Sequence, residues 1–133
     1  MRYLGVVLFL AALSLASDKI QSDTATEVKN AVAGVELLRD SLNDPDSLVV
    51  ERIYARMEHK PDTPTICIAY RARNKFNAYI RDIAEYGGKS KILPQTLGKG
   101  GWCGGIDRNL DRALSHGWAD ITDEYKKEAS VQH

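Results

Sequence analysis

The sequence predicts an α+β domain: an N-terminal helix, two or three antiparallel strands that the helix covers, then short helices. Three observations point there. Apolar residues recur at helical spacing behind a capping sequence between residues 24 and 42. Two runs rich in Val, Ile and Tyr follow, with period-two alternation in the second, and a Pro-containing turn separates them. Helical spacing returns after residue 105. At 133 residues the chain has room for one domain and one core. Its 18 basic and 18 acidic residues cancel, so bulk charge gives no reason to expect nucleic acid or membrane as a partner.

The first segment reads as an address. Arg2 supplies a positive start, Leu4 to Leu15 form the apolar run, and Ser14 and Ala16 place small residues at −3 and −1 of a cleavage site before Ser17. A membrane-spanning helix needs roughly 20 apolar residues, and Asp18-Lys19 ends this run sooner. The expectation is a signal peptide over 1–16, a single domain over 17–133, and a secreted or periplasmic protein with no membrane span after cleavage. Loss of Arg2 leaves 17 basic against 18 acidic residues, a formal charge of −1. Outside the cytosol two thiols in one small domain, Cys67 and Cys103, are expected to be bridged.

Thr24-Ala25-Thr26-Glu27 matches a capping box, in which the Thr24 hydroxyl and the Glu27 carboxylate each satisfy a backbone N–H. Behind it Val28, Ala31, Val32, Val35, Leu38 and Leu42 form one apolar stripe. Asn43 suits the left-handed position after a helix, and Pro45 forbids continuation. A helix over about 24–42 is therefore predicted.

Residues 48–58 read as a strand with Val49, Ile53, Ala55 and Met57 on one face and Glu51 as the exception. His59 to Pro64 is a turn by composition. Ile66, Ile68 and Tyr70 then alternate with Cys67, Ala69 and Arg71, as in a strand buried on one face, and the short connection makes the two a hairpin. Residues 78–86 fit a strand or a short helix equally well by spacing.

Leu42-Asn43-Asp44-Pro45-Asp46-Ser47, followed later by Cys67, Ala72-Arg73-Asn74, Phe76 and Tyr79, resembles a group of small exported bacterial proteins. In that group a helix ends in Leu-x-Asp-Pro-x-Ser, and a later strand carries Cys, Ala-Lys-Asn, an aromatic residue, Gly-Gly and Tyr. Arg73 here replaces the Lys, and Asn77-Ala78 replaces the Gly-Gly, which removes the usual means of a tight turn. The resemblance covers about residues 25–86. It implies an α+β domain with a strand after Asn74, hence an N-terminal helix packed on a small antiparallel sheet of about three strands; short C-terminal helices follow from the spacing beyond residue 105. It implies no defined activity and no catalytic residue.

Residues 87–105 hold seven of the ten glycines and read as a long loop. Ile106, Leu110, Ala113 and Leu114 then suggest a short helix closed by His116-Gly117, and residues 120–128 a last frayed one.

Candidate chemistry is sparse. Gly88-Lys89-Ser90 gives the last three positions of a phosphate loop, but Ile83 stands where its first glycine belongs and Pro94 breaks the helix that should follow. Cys103 with His116, oriented by Asp107 or Asp120, would make a thiol hydrolase, if Cys103 were not expected to be bridged to Cys67. Asp107, Asp111 and Glu124 could share a cation, although such acids more often form a solvated helix face. Trp102 and Trp118 could stack on a sugar, though a Trp beside a bridged cysteine is more often core. Arg71, Arg73 and Lys75 are spaced by two and share a face in an extended chain, with Arg81, Lys89, Lys91 and Lys99 as extensions. Such a row suits an anionic envelope protein or glycan, or protects a sheet edge by charge. The functional expectation is an exported, non-catalytic binding module without cofactor or metal, the alternative a small envelope hydrolase using Cys103 and His116.

Overall fold

The structure is a computed structural model that describes residues 20–59, 64–87, 91–95 and 102–131. The expected signal peptide and its cleavage site lie outside the described residues, as do Gly88-Lys89-Ser90 and Lys99. Helix α1 spans Thr24–Ser41. Its cap is Asp23 and not Thr24: the Asp23 carboxylate accepts from the Thr26 N–H at 2.7 Å, and that bond holds its pKa below the ordinary value. Glu27 is buried, and its Oε1 accepts from Ser22 Oγ at 2.6 Å. The helix ends on Leu42, which is extended, with its N–H bonded to Arg39 O. Asn43 does not take the expected left-handed conformation; among described non-glycine residues Asn77 does, at φ 63°.

A short 3-10 turn, Pro45–Ser47, leads into β2 (Val49–Arg56) and β3 (Glu58–His59); β3 pairs antiparallel with β1 (Ile20–Gln21). β4 (Pro64–Arg73), β5 (Tyr79–Gly87) and β6 (Lys91–Gln95) follow, then α2 (Trp102–Arg108), α3 (Leu110–Ser115), β7 (Trp118–Asp120) and α4 (Thr122–Val131). The main sheet is antiparallel throughout, in the order β6-β5-β4-β2-β7. The α+β class, the β2–β4 hairpin and the strand over 78–86 are as expected; the sheet has five strands and not about three. β6 lies inside the glycine-rich stretch read as loop, and β7 is three residues long, too short to display a period.

β4 is covered on both faces, where burial on one was expected. On the first face Ile66, Ile68 and Tyr70 meet Val35 and Leu38 of α1 and Tyr125 of α4. On the second, Cys67 and Ala69 meet Cys103 and Ile106 of α2 and Ala113 of α3. Gly34 lets α1 approach β5, because a Cβ there would stand 3.0 Å from the Tyr86 ring.

β2 contains a bulge. Val50 pairs with Tyr70 and Arg52 with Ala69, so Glu51 is the extra residue. The bulge reverses the alternation: Val50, with Ile53 and Ala55, belongs to the α1 face, while Val49 is exposed. Glu51, the odd member of the expected Val49–Met57 face, is thus the residue at which that face changes sides. Among the described residues no helix is long and apolar enough to cross a membrane.

Candidate binding face

The two parts of the recognised sequence pattern meet in space. Ser47 Oγ donates to Asp44 O at 2.7 Å and accepts from the Arg73 N–H at 2.8 Å. β2 pairs with β4 only as far as Val49–Arg71, so Ser47 satisfies the donor just beyond the ladder. From there the chain turns through residues 74–78. Asn74 Oδ1 accepts from the Phe76 and Ala78 N–H groups at 2.9 and 3.1 Å, and the Asn74 N–H donates to Ala78 O at 2.9 Å. Asn77 supplies the left-handed residue that a glycine would otherwise provide.

This hydrogen-bonded turn heads the half of the second face that α2 and α3 leave bare. Arg71 faces Arg81 across the β4–β5 ladder, and Arg73 faces Tyr79. Like charges directly opposite repel; Glu51, turned to this side by the bulge, lies against both, with Oε1 2.8 Å from Arg81 Nε and Oε2 3.8 Å from Arg71 Nε. Arg52 adds a fourth guanidinium, 3.5 Å from Asp120. The Arg73 guanidinium sits 5.1 Å from the centre of the Tyr79 ring, and Lys75 Nζ 5.3 Å from that of Phe76. Lys75 lies in the turn and not in the strand, so the expected row of three reduces to Arg71 and Arg73 on β4, with Lys75 beyond the strand's end. Phe76 is 77% exposed and Tyr79 52%, with Ile80 and Val49 also exposed, so large apolar side chains gather at the same end as the cations.

The other candidates fall elsewhere. Cys67 and Cys103 are bridged, with Cα atoms 5.5 Å apart and neither residue exposed. Beside the bridge the buried carboxylate of Glu85, the cross-strand neighbour of Cys67, accepts from the Cys103 N–H at 3.1 Å. His116 is exposed at the end of α3, its Nδ1 2.7 Å from Arg112 O. Trp118 is buried with Tyr54 and Ile83. Asp111 and Glu124 are exposed on α3 and α4, the Asp107 side chain is outside the description, and among the described residues no three His, Cys, Asp or Glu side chains converge on a metal site. A groove of about 360 Å³ beside α3, lined by Ile106, Ala113, His116 and Trp118, is mostly apolar. A cleft of about 150 Å³ at the end of α1 contains Tyr70, whose pKa is pushed up to about 12 by burial and by Asp82.

Sequence reasoning located Arg71, Arg73 and Arg81 but not Arg52, Glu51 or the buried Glu85. The bulge shows in the sequence only as Glu51 breaking the Val49–Met57 face, which does not say where the carboxylate turns, and a carboxylate that bonds a helix start 18 residues away is visible only once the chain folds. Comparison with protein-family models, curated proteins and solved structures gives no match for the chain.

Proposed function

We propose that this protein is an exported, non-catalytic binding module that presents the bare half of its sheet to an anionic partner in the cell envelope or outside it. The observation that carries this reading is the arrangement of Arg52, Arg71, Arg73 and Arg81 on one uncovered sheet surface with exposed Tyr79 and Val49. Folding gains little from placing Arg71 opposite Arg81, whereas an oxyanion gains from every guanidinium within reach. A fully buried disulfide fits an oxidising compartment, and the N-terminal pattern and the resemblance to small exported proteins point the same way. The rival hydrolase needs a thiolate at Cys103, and that sulfur is bonded to Cys67.

Retention of the wild type on immobilised poly-glutamate, compared with Arg71→Glu/Arg73→Glu, tests the reading. The wild type should be held at low ionic strength and released as salt approaches about 0.1 M, where exposed charges are screened beyond roughly 10 Å. Equal retention of the two forms at low salt would overturn it. Thiol labelling of the native protein addresses the rival: one reactive cysteine per chain would favour the hydrolase.

A further inference from the structure

We propose that the β4–β5 hairpin tip, with the cations behind it, docks on an anionic phospholipid surface and places Phe76 at the boundary between headgroups and acyl chains. The inference rests on the anionic-partner reading and names the partner. Chemistry is layered along the hairpin. Phe76 occupies the turn and is the most exposed large apolar side chain among the described residues, with Lys75 against its ring. One level back, Arg73 lies over Tyr79, an aromatic residue that suits the interface because one end is apolar and the other wet. Arg71 and Arg81 follow about 7 Å further along the strands. Residues 71–81 contain four cations and no acid. Each cation near an anionic leaflet gains from its surface potential, and an inserted aromatic ring adds hydrophobic transfer. The Asn74 bonds hold the turn in one shape, so little ordering is required on docking.

The charge balance disfavours a highly charged glycan. Glu51 already engages Arg71 and Arg81, and Asp120 lies beside Arg52, which leaves Arg73 and Lys75 as the cations nearest the tip. Charge alone therefore gives only weak, salt-sensitive binding, and a glycan leaves the exposed Phe76 unused, whereas a lipid surface takes up both. Asp82 lines the cleft with Tyr70, and the Asp44–Ser47 turn stands level with Arg73 through the Ser47 bond. These acids keep that side off an anionic surface, so contact is by the tip and the arginine side.

Co-sedimentation of the purified protein with vesicles tests this, using phosphatidylcholine alone or an equimolar mixture with phosphatidylglycerol, at low and moderate salt. Binding to the anionic vesicles only is expected. Phe76→Ser should weaken it by about tenfold or more, and Arg73→Glu/Lys75→Glu by at least as much. Phe76 is exposed, so an unchanged melting temperature should accompany the loss. No sedimentation with anionic vesicles, equal binding to both vesicle types, or wild-type binding by Phe76→Ser would each overturn the proposal. Salt-sensitive retention on poly-glutamate without vesicle binding would also overturn it and leave the binding-module reading standing; absence of both would remove both.

Discussion

The two faces of the sheet are covered by different means. On the first, α1 runs 18 residues and lays Val28, Ala31, Val35 and Leu38 against the sheet, so apolar burial along its length does most to hold it. On the second, α2 and α3 have 7 and 6 residues. Helices shorter than about 12 residues are marginal by themselves, and here a disulfide and the Glu85 carboxylate fix the start of α2 to β4 and β5. The short pair covers only part of its face, and the remainder carries the arginines. Length of helix thus decides which face is fully covered and which keeps an exposed half that carries arginines.

The largest test of that contrast is removal of the bridge. Closing a loop with a sequence separation of 36 is worth on the order of 4 kcal/mol in the chain-entropy model, a large share of the roughly 5–15 kcal/mol typical of a domain. Cys67→Ala/Cys103→Ala should lower the melting temperature markedly and raise amide exchange in α2 and α3 before α1. Leu38→Ala, expected to lose about 3 kcal/mol, should raise exchange in α1 and the sheet first. Uniform loss of protection in both variants would mean the faces do not differ in this way.

Alkaline pH should single out the α1 face. Tyr70 is buried there with its pKa raised to about 12, and Tyr125 is raised by burial as well. The folded state keeps a proton that the unfolded chain loses near pH 10, so the stabilisation is complete below pH 10 and falls as pH rises towards 12. For Tyr70 the loss approaches about 2–3 kcal/mol at the upper end. Denaturant midpoints between pH 9 and 12 would show it, and Tyr70→Phe should flatten the decline; an identical decline in that variant would place its cause elsewhere.

A smaller effect belongs to the junction between the recognised turn and the bare face. Ser47→Ala leaves the Arg73 N–H without its acceptor and should destabilise by about 1–2 kcal/mol. Its signature is local: exchange at Arg73 should accelerate more than at Ile68, where the ladder is intact. Unchanged exchange at Arg73 would mean that water replaces the hydroxyl.

Helix α1 was legible because 18 residues display several turns of the stripe from Val28 to Leu38, and β4 because alternation from Ile66 to Tyr70 is unbroken. β6 was hidden by the glycines on either side, and β7 by its length. Asn77 was legible only in part: Asn77-Ala78 in place of Gly-Gly takes away the usual residues of a tight turn, yet Asn tolerates the left-handed conformation because its short polar side chain can bond locally.

The sequence by itself determined the α+β class, the first helix and the central hairpin through local periodicity, and the pairing of its two cysteines through their number together with the N-terminal pattern that reads as an export signal. Only the tertiary structure decided that β4 is covered on both faces, that Glu51 joins Arg71 and Arg81, and that cations and exposed aromatic residues share one end. Those relations depend on one extra residue in β2 and on contacts between segments far apart in the chain. A bulge changes which face a side chain occupies without changing which residues are apolar.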